Sequence, residues 1–271
     1  MNENSWACYS RNRKGQHGVG LRLLSLWKDE WKKGDVVLDI GCGTGELTKM
    51  IAENDDVNQV IGIDISAKAI DFARQHNSVD GKIKYLVGDA MLLQDSFSYF
   101  EKAFTKVYSN VALQWMENKE KVFRNVCWCL KDGGSCVINV LRGENETFYN
   151  VYHRSTKLPK WIKYFEGFEP KYYSVFGSLG DFDDLVSRCG FKQYPRIIDA
   201  YTTGQSLNTK EEHKDFMRPV LTHLEFIPVD LKEDFLEDCF QLFRRISPNT
   251  AHTEDDALFW RYDILDVKLV K

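Results

Sequence analysis

The chain has 271 residues, of which 43% are hydrophobic, 13% aromatic and 28% charged, and its formal net charge is -4. That composition supports a large buried core under an ordinary charged surface. The acidic balance argues against a general nucleic-acid partner, because no surplus of Lys and Arg is present to displace phosphate counterions. Seven cysteines, an odd number scattered from Cys8 to Cys239, do not make a disulfide framework, and Cys127-Trp128-Cys129 lacks the C-x-x-C spacing of zinc or redox sites. The N-terminus is polar and charged, and no run reaches the ~18 apolar residues of a membrane span. The expectation is a cytoplasmic protein with reduced thiols, no metal and no membrane partner. Nothing in the composition sets its oligomeric state.

Val19, Leu23, Leu26 or Trp27, and Trp31 recur at helical spacing, so a helix is expected over residues 14–32, ending before Gly34. Val36-Val37-Leu38-Asp39-Ile40 then reads as a buried parallel strand, Gly41-Cys42-Gly43-Thr44-Gly45 as a tight turn, and Glu46 to Ile51 as a helix. A strand, a glycine turn and a helix make a ligand site, because glycines allow close backbone approach and a helix N-terminus offers unpaired N–H groups. A dinucleotide fingerprint would need glycine where Glu46 stands, and a pyrophosphate would be repelled by Asp39 and Glu46.

Val60 to Asp64 is a second buried strand, and Ser66 an N-cap for a helix to about His76. Further strands are expected over Ile83 to Asp89 and Phe104 to Ser109. Asn118 caps the next helix, which turns Val122, Phe123, Val126 and Leu130 inward and stops at Gly133-Gly134. The fifth strand is Ser135 to Leu141. Residues 143–178 break the alternation with Tyr149, Tyr152, Trp161, Tyr164, Phe165, Phe168, Tyr172, Tyr173 and Phe176, an aromatic cap. A helix near Phe182 to Cys189 and a strand near Phe191 to Thr202 follow. Helices are then expected over Lys210 to Leu224 and Leu231 to Ile246, the second opened by Asp230 and Glu233 as a capping-box-like pair. A last strand runs from Ala257 to Val270. The whole is an α/β fold, a doubly wound and mostly parallel sheet in one domain, with the ligand at the carboxyl ends of the strands.

Acids mark those ends. Asp64 closes the second strand 19 residues after Gly45, where an open α/β nucleoside site places an acceptor for both ribose hydroxyls. It could instead cap the following helix, although Ser66 is available for that. Asp89 closes the third strand and is placed to accept from an adenine amino group.

The pattern Asp39-x-Gly41-x-Gly43-x-Gly45 resembles motif I of the class I S-adenosylmethionine-dependent methyltransferases, whose cofactor is a cationic sulfonium without phosphate. Asn110 with Leu113-Gln114-Trp115 resembles the segment after the fourth strand in small-molecule carboxyl methyltransferases, including trans-aconitate methyltransferase and, more closely, juvenile hormone acid O-methyltransferase. The closer likeness extends through Trp115-Met116 and Glu120-Lys121-Val122-Phe123-Arg124-Asn125 to Phe148, Lys160-Trp161 and Phe235-Leu236-Glu237-Asp238. It implies a seven-stranded fold that binds S-adenosylmethionine through Asp39, Gly41, Gly43, Asp64, Asp89 and Asn110. It further implies a small carboxylic acid as substrate, its carboxylate held by Gln16 and Trp115. Both side chains bring N–H donors, which orient a carboxylate without neutralising it. Read as residues alone, Trp115 could equally be a core aromatic and Gln16 a solvated helix position. The glycines around Gln16 are unusual for a helix start. His17 and His153 are the histidines to consider as bases, but most lone histidines are surface residues or satisfied in the core, and a carboxylic acid is already ionised near pH 7 and needs no base. Acids with an apolar tail suit the aromatic cap, which is expected to act as a lid.

Overall fold

The computed structural model describes residues 14–141, 147–171, 179–192, 197–247 and 258–271. In chain order the elements are α1 (Lys14–Ser25), β1 (Asp35–Ile40), α2 (Glu46–Ala52), β2 (Val57–Asp64), α3 (Ala67–His76), β3 (Ile83–Val87), α4 (Leu93–Ser96) and β4 (Phe104–Ser109). Then come α5 (Lys119–Cys129), β5 (Leu130–Leu141), α6 (Thr147–Ser155), α7 (Leu179–Arg188), β6 (Ile197–Leu207), α8 (Lys210–Val220), α9 (Lys232–Ile246) and β7 (Leu258–Val270). The strands form a seven-stranded sheet in the order β3-β2-β1-β4-β5-β7-β6. The pairs from β3 through β5 are parallel, and β7 lies antiparallel to β5. The α/β doubly wound sheet expected from the alternation is the one observed.

By internal contacts the chain divides into two compact units. One comprises Gln16–Leu141, Val175–Tyr201 and Ile264–Lys271. Its central strands β1, β4 and β5 are buried on both faces, so their side chains alternate between two cores rather than between core and water. Leu38, Ile40, Val107, Ile138 and Val140 enter one core with Phe123 and Val126 of α5 and Phe182 of α7. Val37, Tyr108 and Val137 enter the other with Leu23 and Trp27 from α1 and its following turn, and Ile51 of α2. Trp27 is wholly buried, and its indole N–H finds Ser135 Oγ at 2.9 Å.

The other unit comprises Met1–Gly15, Arg142–Ser174 and Thr202–Asp263. Within it α9 packs against α6 and α8. Trp260 stacks on Phe243 at 4.1 Å between ring centroids and lies against Phe148, Phe216 and His213. Of the aromatics that mark the cap in the sequence, Tyr152, Trp161 and Phe165 are buried, as is the neighbouring Phe148, while Tyr172, Tyr173 and Phe176 lie outside the described residues.

Several expected boundaries move, each for a local reason. The first helix stops at Ser25 rather than near 32, because Ser25 Oγ bonds Arg22 O at 2.6 Å and the backbone tightens into three-residue turns through Lys28. Gly133-Gly134 does not end α5. The helix gives way at Leu130, which takes extended geometry and pairs with Phe104, so both glycines sit inside β5. The strand expected over 191–202 is β6, shifted to Ile197–Leu207. Helix α8 stops at Val220, with Pro219 in its last turn: Leu221 still donates to Met217 O but leaves helical geometry. The pairing of Asp230 with Glu233 does not form: Leu231 holds the N-cap position of α9 without a side-chain bond, and Glu233 pairs with Arg218 instead.

Candidate functional site

The carboxyl ends of β3, β2, β1 and β4 lie side by side at one edge of the sheet, since these four strands are neighbours and parallel. The glycine turn follows β1 there. Gly41, Gly43 and Gly45 have φ of 73°, 54° and 86°, left-handed values that glycine adopts without a Cβ penalty. A Cβ on Gly41 would also lie 2.4 Å from Cβ of Ala112. The turn hangs from β2 by Gly41 N–H and Cys42 N–H, both donating to Ile63 O at 2.8 and 3.0 Å. Asp64 adds a third support. Its Oδ2 accepts from Gly43 N–H at 2.9 Å and its Oδ1 from Ser66 N–H at 2.8 Å. Each oxygen keeps a second lone pair for another donor. Burial pushes the Asp64 carboxyl up from its ordinary value, opposed by those two backbone bonds. The capping role falls to Ser66, whose Oγ accepts from Ala69 N–H at 3.3 Å.

Asp39 is 2% exposed, one residue before the end of β1, and accepts from Thr48 Oγ1 at 2.6 Å, pinning α2 to the strand. Asp89 lies just past β3, and its Oδ1 accepts from Met91 N–H at 2.8 Å to start a short 3-10 turn. Asn110 follows β4. Its Nδ2 donates to Gln16 O at 3.1 Å, and its Oδ1 accepts from Asn139 Nδ2 at 2.8 Å. The structure therefore joins two expected site positions, Asn110 and Gln16, through the backbone of α1. That helix runs through Gly15, Gly18 and Gly20, and Gly20 is closely approached: a Cβ there would meet the Leu47 side chain at 2.4 Å and Tyr108 OH at 2.7 Å. Trp115 is half-buried in the 3-10 turn Leu113–Trp115, its N–H bonded to Ala112 O at 3.1 Å.

A family model described as a methyltransferase domain matches residues 31–177, more than half of the chain. The chain belongs to the class I S-adenosylmethionine-dependent methyltransferases. It is 26% identical over 251 residues to juvenile hormone acid O-methyltransferase of Bombyx mori, across 90% of this chain and 87% of that protein. It is 34% identical over 195 residues to a phosphoethanolamine N-methyltransferase of Triticum aestivum, across 68% of this chain and 35% of that protein. Among solved structures, phosphoethanolamine N-methyltransferase 2 of Haemonchus contortus, in complex with S-adenosyl-L-methionine, superposes with a TM-score of 0.58 at 19% identity. That likeness covers 100% of this chain and 57% of that one.

The donor set at this methyltransferase edge fits such a cofactor. Asp64 and Asp89 are acceptors for hydroxyl and amino groups, and their negative charge suits a sulfonium and would repel phosphate. Sequence reasoning missed the residues behind the turn. Tyr85 OH donates toward Gly45 O and Asn77 O at 3.2 and 2.8 Å, and Asn77 Nδ2 donates to Thr44 O at 2.7 Å. It also missed Asn139, fully buried and bonded to Val111 N–H at 2.6 Å. The signal for Asn139 was present, as the one amide in the apolar run Cys136 to Leu141. Of the two histidines noted, His17 is partly exposed on α1, and His153 on α6 lies against Tyr149 at 4.2 Å. The buried histidines are others. His213 accepts from Trp260 Nε1–H at 2.8 Å through Nδ1, and burial holds His223 neutral, its pKa lowered to about 3.

Proposed function

We propose that this methyltransferase esterifies a small apolar carboxylic acid, with S-adenosylmethionine as methyl donor. The observation that carries the acid over other acceptors is the extent of the likeness: the juvenile hormone acid enzyme aligns over nine-tenths of this chain, beyond the residues matched by the methyltransferase model. The Triticum aestivum phosphoethanolamine enzyme aligns in sequence over a smaller part, 68% of this chain.

In this reading Asp64 accepts from the ribose hydroxyls and Asp89 from the adenine amino group. The turn from Gly41 to Gly45 gives close backbone approach, with Asp39 beneath it and Asn110 beside it. Gln16 and Trp115 donate to the substrate carboxylate. The bound cofactor supplies an electrophilic methyl group. What the protein adds is proximity and orientation, since the carboxylate is ionised near pH 7 and no base is called for. The aromatic composition of the cap suits an acid with an apolar tail.

The test is transfer from methyl-labelled S-adenosylmethionine to a panel of apolar carboxylic acids, with phenols, amines and phosphoethanolamine as controls. Base-labile, volatile label from acids alone is the expected result. Label on phosphoethanolamine would make the protein an N-methyltransferase. Cofactor binding without transfer to any acceptor would make it a silent binding protein.

A further inference from the structure

Val111 carries a left-handed backbone, with φ of 50°. A β-branched residue is an outlier there, because its γ-methyls crowd the main chain. Two buried side-chain amides grip it from either side. Asn139 Oδ1 accepts from Val111 N–H at 2.6 Å, and Gln114 Nε2 donates to Val111 O at 2.7 Å. Asn139 is 0% exposed and Gln114 2%. The grip is made at a disadvantage: Gln114 Oε1 is buried and without a hydrogen-bond partner among the described residues, an arrangement that lowers stability. Strain that its surroundings over-determine is a feature of functional sites.

The neighbours of Val111 say what the kink is for. On one side Asn110 takes a second bond from Asn139 and passes one to Gln16 O. On the other, Ala112 lies so close to Gly41 that no Cβ fits between them, and the turn ending at Trp115 begins directly after it. One dihedral therefore sets Asn110, the start of α1 and Trp115 against the glycine turn. We propose that Asn139 and Gln114 are positioning residues for methyl transfer, a clamp that holds Val111 left-handed so that the acceptor-side groups keep register with the cofactor turn. The acceptor side of this claim rests on the reading of Gln16 and Trp115 given above.

The experiment is a double-mutant cycle between positions 139 and 111. Asn139→Leu keeps the branched shape of the side chain at a somewhat larger volume and deletes both bonds, while Val111→Gly lets the backbone adopt φ near 50° without a clamp. Asn139→Leu should lower kcat/KM for the acid at least tenfold when residue 111 is valine, and by a clearly smaller factor in the V111G background, where the bond to Asn110 is lost but the valine no longer needs holding. Loss of stability is read separately, from urea denaturation of the same four proteins, and kcat/KM is compared where each is fully folded. Equal loss in the two backgrounds, or no loss in either, overturns the clamp. If Asn139→Leu does not fold, Gln114→Met, which frees only the Val111 carbonyl, is run through the same cycle with the same criterion. If the wild-type protein methylates no acid, the substrate reading fails while the clamp is still read from hydrogen exchange over residues 110–115. Exchange should quicken at least tenfold in Asn139→Leu, and unchanged exchange overturns the clamp.

Discussion

Around the glycine turn, side chains hold backbone. Asp64 holds two amides, Tyr85 and Asn77 hold carbonyls of the turn, and Asn139 and Gln114 hold Val111. In the unit that contains Trp260, side chains hold one another: Trp260 with His213, Ser155 with His223, Tyr152 with Thr222, and Trp161 with Asp238. The first arrangement fixes the path of the main chain, which is what a site built from N–H groups and strand-end acids needs. The second fixes the packing of large rings, and its polar bonds serve mainly to keep buried hydrogen-bonding groups satisfied.

The largest expected effect breaks the second arrangement. Trp260→Ala removes a wholly buried indole stacked on Phe243 and leaves His213 Nδ1 without its donor. Urea denaturation should show a loss of about 3 to 5 kcal/mol, and a combined change with His213→Ala should be clearly less than additive. Additive losses would mean that the rings pack independently and that the bond between them contributes little.

A smaller effect probes the first arrangement. Lys119, at the start of α5, turns its ammonium to the Met116 carbonyl, and burial lowers its pKa to about 8. Between there and the ordinary lysine value near 10.4 the unfolded chain binds a proton that the folded chain does not, so this group makes stability rise with pH across that window. The gain is complete above the unfolded value and is lost as pH falls through about 8. Lys119→Met should reduce the difference in stability between pH 7 and pH 10 by roughly 1 to 3 kcal/mol. Denaturation curves that keep the wild-type difference would place the ammonium in solvent.

The same contrast explains what the sequence made legible. Strand, glycine turn and strand-end acids announce themselves by position, because few residue types satisfy a left-handed turn or a doubly buried strand. The strand-end positions of Asp64 and Asp89 and the capping Ser66 and Asn118 could be read from spacing, and Asn110 from the resemblance of the segment it opens. Asn139 could not: its partners are the Val111 amide, 28 residues away, and Asn110, and only tertiary pairing brings them together. In the ring-rich unit the aromatic residues between 143 and 178 were visible as composition. The groups they pack against, His223 and Trp260, come from later segments with no motif. Glu233 shows the limit of local patterns, since its capping partner lost to Arg218, fifteen residues away.

The central claim is that the acid ending β2 receives the cofactor at the glycine turn. Calorimetry on wild type and Asp64→Ala, each with S-adenosylhomocysteine and with an analogue lacking a ribose hydroxyl, tests it most directly. Hydrogen bonds to a charged acceptor contribute ~1.5 to 3 kcal/mol, so the wild-type protein should bind the deoxy analogue roughly tenfold to a hundredfold more weakly, each ~1.4 kcal/mol being a factor of ten. Asp64→Ala should bind both ligands equally weakly. A variant that still discriminates between them as the wild type does would remove Asp64 from the ribose and contradict the site.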